Sequence, residues 1–267
     1  MEYFSHNHIA PFFHRHARKI LGTLGVDERG LPRAEWKRYP RMPQIELGEP
    51  LPLSSPLEEL LKKRKSSREY ADTAPLSLAE LSTLLHFGFG LRNREEYAQS
   101  HARETGPHLA PRMFYPSGGA RYPLETYVAI THRGEVEPGL YHYHPPTHTL
   151  ERLLPKEGAE EGIESSITYE FAKHAPLHIF LTAVWRRNFI KYRDMGYAMT
   201  LLEAGHAAEN ALLAAGALGV RSCPLAGFRF DETCALLDID GIVEAPIHCV
   251  AFGKGVPPKG ERDRDDG

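Results

Sequence analysis

Arg112-Met-Phe-Tyr-Pro-Ser-Gly-Gly-Ala-Arg-Tyr-Pro-Leu124 leads without a break into Glu125-Thr-Tyr-Val-Ala-Ile130. The second run is rich in β-branched and aromatic residues and reads as a strand. At the junction, Pro116-Ser117-Gly118-Gly119-Ala120 carries two adjacent glycines. These allow backbone angles closed to other residues, so successive N–H groups can face one concavity beside the Ser117 hydroxyl. Such a nest, held at the rigid end of a sheet, suits an anionic or carbonyl-rich ligand. An ordinary Pro/Gly turn entering a strand accounts for the same residues.

Working outward, Pro138-Gly-Leu-Tyr-His-Tyr143 and His148-Thr-Leu-Glu-Arg-Leu-Leu154 flank a Pro-Pro turn and read as a hairpin or meander. Pro176 to Trp185 reads as a buried strand, and Ala245 to Phe252 as the last one. Helices are expected after Ser54-Ser55-Pro56, with a serine as N-cap, and after Ser77, where Leu78, Leu81, Leu84 and Leu85 share a face and Gly88 and Gly90 end the run. Residues 157 to 173 and Asp231 to Leu237 are further helical stretches. Met195 to Gly219 is a long alanine-rich helix, fit for the centre of the fold or a subunit interface, with Gly219 as its cap. Residues 91 to 111 lack a period and read as a long surface loop. No Walker loop occurs, no GxGxxG opens a helix after a strand, and strands do not alternate regularly with helices. That favours an α+β fold over a doubly wound one.

Residues 1 to 50 form an N-terminal extension, with a helix expected from Ile9 to Leu24 and prolines beyond it, lying over the main domain at 51 to 256. Residues 257 to 267 read as a polar tail. The chain has 32 Lys and Arg against 35 Asp and Glu, a formal charge of −3, which advertises neither nucleic-acid nor anionic-membrane binding. Its three cysteines, Cys223, Cys234 and Cys249, suggest neither a disulfide framework nor a zinc site. With no signal-like start and no membrane-length apolar run, a cytoplasmic location is expected. His6, His8, His14 and His16 lack the spacing and partners of a metal site, and no metal is expected.

Two basic segments could carry chemistry. Arg64-Lys65-Ser66-Ser67-Arg68 closes the helix after Pro56. Cations at a helix C-terminus complement its dipole, yet the same donors and hydroxyl suit a phosphate or the polar edge of a flavin. Lys191-Tyr192 lies among Arg186, Arg187 and Arg193. It reads as a charged surface segment before a helix, or as a lysine whose neighbours tune it into a base.

These motifs, with Gly139-Leu-Tyr-His-Tyr143, Glu203-Ala-Gly-His206 with Asn210, and Gly219-Val-Arg-Ser-Cys-Pro-Leu-Ala-Gly227, follow an order that resembles the FMN-dependent nitroreductase superfamily. The match is nearest to its SagB-type branch of thiazoline/oxazoline dehydrogenases and spans roughly residues 51 to 256. The loop departs from the branch's usual Pro-Ser-Ala-Gly-Ala-Leu-Tyr-Pro-Leu-Glu at Gly118 and Arg121. The resemblance implies a mainly antiparallel sheet flanked by helices in an intertwined homodimer that shares its FMN sites. It assigns Arg64, Lys65, Ser66 and Arg68 to the phosphate, ribityl chain and ring edge of FMN, with Lys254 as a further phosphate ligand. Pro116, Ser117 and Gly118 would come from the partner subunit, and Pro224, Leu225, Ala226 and Gly227 would face flavin O4 and N5. Lys191 and Tyr192 would take a proton from an azoline-like ring of a small-molecule or peptide substrate, with biosynthetic partner proteins possible. Two rival functions are an NAD(P)H-dependent reductase of nitro compounds, quinones or flavin, and a non-catalytic flavin-binding subunit.

Overall fold

A computed structural model of the chain describes residues 13–14, 35–71, 75–102 and 108–255. Phe13 and His14 are helical; the rest of the helix expected from Ile9 to Leu24, together with His6, His8, His16 and the tail, lies outside these residues.

Seven strands form one sheet: β1 (Gln44–Glu46), β2 (Leu124–Ile130), β3 (Gly139–His144), β4 (Thr149–Pro155), β5 (Leu177–Val184), β6 (Arg221–Leu225) and β7 (Glu244–Gly253). Their order is β1-β4-β3-β2-β5-β7-β6, with every neighbouring pair antiparallel. The expected hairpin is β3–β4. Side chains alternate across the pleat, and both faces are buried. Val128, Ile130, Ile179, Leu181, Val250 and Phe252 face one core, whereas Tyr127, Ala129, Phe180, Cys249 and Ala251 face the other. Apolar residues on both faces explain why these strands read as near-continuous hydrophobic runs.

Two helices cover the first face. In α2 (Leu78–Phe89), Ser77 and Glu80 form the reciprocal capping box, and Leu81, Leu84 and Leu85 are buried. In α7 (Met195–Ala217), Ala204, Ala207, Ala208, Ala211, Ala214 and Ala215 are buried. A Cβ built on Gly88 would lie 2.9 Å from the Ala211 Cβ, so the small residues of α7 serve close helix approach. Gly219 ends this helix region at φ +68°. The opposite face is covered by α4 (Lys156–Ser166), the short α5 (Glu170–Lys173) and α8 (Phe230–Leu237).

Two local expectations are corrected. α1 (Leu57–Lys63) starts at Pro56 with no side-chain cap, so neither Ser54 nor Ser55 closes its N-terminus; the acids Glu58 and Glu59 face the dipole instead. The expected loop at 91–111 contains α3 (Arg94–His101). Its only buried residue is Ser100, so it has no apolar stripe from which a period could be read. The Asn93 side chain pins its start, accepting from Arg112 N–H at 3.0 Å and donating to Ala110 O at 3.3 Å.

Residues 35–39 cross a buried polar network at one end of the sheet. His142 lies between two carboxylates, Nε2 2.9 Å from Glu125 and Nδ1 2.9 Å from Glu151. Glu125 also pairs with Arg187, while Glu244 accepts from Tyr127 Oη at 2.9 Å, Thr182 Oγ1 at 2.6 Å and Lys37 Nζ at 2.7 Å. Among the described residues, no helix is long and apolar enough to cross a membrane.

Candidate functional site

The glycine loop is a 3₁₀ turn over Gly118–Ala120. Gly119 sits at φ +60°, and Ala120 and Tyr122 adopt positive φ of 51° and 45°. Its donors are largely used within the protein, unlike the open nest the residues suggest. Tyr122 N–H donates to Ser117 Oγ at 2.9 Å, Ala120 N–H to Ser117 O at 3.1 Å and Gly118 N–H to Glu203 Oε1 at 3.1 Å. A carboxyl from α7 has taken the place of an external anion.

The short helix α6 (Arg186–Tyr192) follows β5 and brings Lys191 and Tyr192 against this loop. A Cβ on Gly119 would fall 2.7 Å from both Lys191 Nζ and the Tyr192 hydroxyl. The Lys191 ammonium lies 5.3 Å from the Tyr192 ring centroid. Both side chains are half-buried. Arg187, one turn earlier on α6, is not a charge aimed at Lys191: it is spent on Glu125 and also donates to Tyr122 O at 3.3 Å. Arg121, the departure noted in the loop, is buried and donates through Nε to Arg187 O at 2.7 Å. It therefore fastens loop to helix.

Behind the loop, Glu203 is 4% exposed. Its Oε1 also accepts from Asn188 Nδ2 at 3.3 Å, and Asn188 belongs to α6. Burial raises the Glu203 carboxyl above its ordinary value, with bonds from Ser117, Asn188 and Gly118 partly opposing this. Sequence reading gave Glu203 no role. The available signal was Asn188, three and four residues before Lys191 and Tyr192, where a helix places side chains on one face.

A second cluster surrounds the β6 edge. Ser66 forms a parallel bridge with Ser222, and Ser67 N–H donates to Ser222 O at 2.8 Å, so Arg64, Lys65, Ser66 and Arg68 run alongside β6. Arg64 Nε is 4.0 Å from Glu209, and the Arg68 guanidinium lies 5.9 Å from the Phe171 centroid. Pro224 and Leu225 end β6; Ala226 beyond them is exposed. Gly227 O accepts from Thr168 N–H at 3.2 Å, and a Cβ at this glycine would displace the side chains of Thr168 and Tyr169. Lys254 is paired with Glu80. Arg221 is a further cation here, donating to Ser67 Oγ at 3.4 Å, which sequence reading passed over because it lies inside a strand.

The two clusters meet different sides of α7. Glu203 serves the glycine loop, and Glu209, six residues on, faces Arg64. Six residues correspond to roughly 9 Å along the axis and about 120° around it. Among the described residues, no group of three or more His, Cys, Asp or Glu is placed to hold a metal ion.

This fold has known counterparts. Residues 61–254 match the family described as Nitroreductase family. A putative nitroreductase of Methanocaldococcus jannaschii is 31% identical over 200 residues, covering 75% of this chain and 91% of that protein. The microcin B17-processing protein McbC of Escherichia coli is 26% identical over 148 residues, 53% of this chain and 54% of McbC. A chain of the E. coli microcin synthetase McbBCD complex, solved with truncated pro-MccB17 bound, has a TM-score of 0.57 at 19% identity, covering 93% of this chain and 92% of its own length. A putative nitroreductase of Ralstonia eutropha has a TM-score of 0.64 at 24% identity, covering 86% of this chain and 97% of that one. The chain belongs to the nitroreductase family and is an oxidoreductase.

Proposed function

We propose that this chain is an FMN-dependent dehydrogenase of SagB type, oxidising an azoline-like ring in a peptide-derived substrate. The observation that carries the reading is the convergence of the Lys191 amine and Tyr192 hydroxyl on Gly119. The donor set around β6 fits FMN: Arg64, Lys65 and Arg68 offer cations to a phosphate, Ser66 a hydroxyl, and the exposed backbone after Leu225 a polar edge to a ring. Lys254, with Arg221 nearby, adds positive charge, although the Lys254 ammonium is partly neutralised by Glu80. Bound FMN would supply the two-electron chemistry by accepting hydride at N5. The protein's part is to fix the ring and substrate and to take the proton: Lys191 Nζ or Tyr192 Oη is the acceptor, and Arg121 with Arg187 keeps their helix against the loop.

The separation of the two clusters around α7 supports a site completed between two copies, with Pro116, Ser117 and Gly118 of one facing the flavin of the other. Exposed Leu57 and Leu61 on α1 and Leu201 and Leu202 on α7 supply an apolar face for that homodimer. The likeness to a chain of McbBCD supports a partner-protein complex acting on a peptide. The relative from M. jannaschii, named a nitroreductase, favours a second reading: reduction of nitro compounds, quinones or flavin by NAD(P)H.

Anaerobic visible-absorption titration with NADPH and then NADH separates the readings. A yellow protein indifferent to both, releasing FMN on denaturation, is the expected outcome. Rapid bleaching by either nucleotide would install the reductase in its place, and a colourless protein would remove the flavin assignment. Flavin that no reductant or azoline peptide ever bleaches would identify a non-catalytic subunit. Lys191→Ala should abolish azoline oxidation while retaining FMN.

A further inference from the structure

Two buried atoms behind the glycine loop lack partners in this structure: Glu203 Oε2 and Asn188 Oδ1. The orientation of the Asn188 amide follows from its neighbours. Thr200 Oγ1 donates its only proton to Gly196 O at 2.7 Å, so it must accept from Asn188, and the atom 2.9 Å away is therefore the amide nitrogen. The same Nδ2 reaches Glu203 Oε1 at 3.3 Å, and Gly118 N–H reaches Oε1 at 3.1 Å. As a carboxylate, Glu203 would leave its Oε2, and Asn188 its Oδ1, buried with no donor. As a neutral acid it resolves both: the amide N–H donates to one carboxyl oxygen while the acid O–H donates to the amide oxygen, the cyclic pairing of an acid with a primary amide.

We propose that Glu203 carries a proton on Oε2, shared with Asn188 Oδ1, and that this neutral acid is a positioning residue clamping the Lys191–Tyr192 helix to the glycine loop. The inference rests on the roles proposed above for Lys191 and Tyr192. Glu203 joins the two elements directly, through Gly118 in the loop and Asn188 in α6. The titratable groups around it are consistent with neutrality. Tyr115 is buried near it, Tyr192 lies across Gly118 from it, and Lys191 approaches Gly119. Arg187 is paired with Glu125, Arg121 donates to Arg187 O, and His206 and Glu209, next along α7, are exposed. Burial pushes the Glu203 carboxyl upward, and what opposes it is hydrogen bonding from Ser117, Asn188 and Gly118, with no cation among the causes.

The test uses the full-length protein and needs no substrate. Infrared spectra of wild type and Glu203→Gln should differ by one protonated-carboxyl band, present in wild type at neutral pH and missing from the variant. Trinitrobenzenesulfonate labelling of the Lys191 amine, followed by peptide mass mapping, reads the clamp. Glu203→Gln, which keeps an acceptor for Gly118 and a donor for Asn188, should label at the wild-type rate, and Glu203→Ala several-fold faster. Absence of the band would replace the acid proton with a bridging water and overturn the proposal. It would also be overturned if Gln labelled as fast as Ala, or if Ala labelled no faster than wild type. The band is decisive by itself should Glu203→Ala fail to fold. A Lys191→Ala variant that retained turnover would instead defeat the proposed catalytic role and leave these readouts untouched.

Discussion

At the scale of single residues, two glycines with nearly equal φ separate conformational cost from function. Gly119 has φ +60° and Gly219 φ +68°, but a Cβ at Gly219 meets nothing within 4 Å, whereas one at Gly119 meets Lys191 and Tyr192. An alanine in the left-handed region costs about 1–2 kcal/mol at either position. Gly219→Ala should therefore lower the melting temperature by a few degrees and leave turnover intact. Gly119→Ala should carry the same thermal cost and in addition lose azoline oxidation while retaining FMN. Calorimetry, released flavin and turnover of the two variants check this together. The Gly-Gly pair was legible as a special backbone site. Its engagement with Glu203 was not, because that partner lies more than eighty residues away in the chain.

Among the elements, α2 and α7 pack through small residues, and Gly88 lies where its Cβ would come 2.9 Å from the Ala211 Cβ. Gly88→Val should destabilise by about 1–3 kcal/mol through overpacking. Adding Ala211→Gly should recover part of that loss beyond additivity, which a double-mutant cycle in chemical denaturation measures. The long helix, the β3–β4 hairpin and strands β2, β5 and β7 could be read from apolar pattern and caps because burial governs them locally. α3 could not be: with only Ser100 buried, its position depends on Trp36 donating to Tyr97 Oη at 2.9 Å and on Asn93 bridging to Ala110 and Arg112.

For the whole molecule, the polar network under residues 35–39 sets the response to pH. Glu125, Glu151 and Glu244 face Arg187, Lys37 and His142, and the charges balance when His142 is protonated. Burial alone would lower the His142 value from 6.5, but Glu125 and Glu151 outweigh it and raise the value. Its contribution is therefore complete below the ordinary imidazole value and is lost as pH rises through the higher native one. Burial would raise Glu125, yet Arg187 and His142 bring it down to about 2. That contribution holds above the ordinary carboxylate range and disappears as pH falls toward the native value. Melting temperature should fall on the alkaline side in wild type, and His142→Gln should flatten that limb while lowering stability at neutral pH. An unchanged alkaline limb in the variant would contradict the assignment.

The sequence by itself determined the α+β class, most of the strands and helices, and the order of motifs that marks the family, since each depends on local burial pattern, capping or turn chemistry. Only the tertiary structure decided that the glycine loop spends an N–H on Glu203, that Arg121 joins the loop to α6, and that Arg187 serves a buried ion network instead of Lys191. These are long-range pairings of polar groups, whose partners are selected by which elements the folded sheet and helices bring within hydrogen-bond reach.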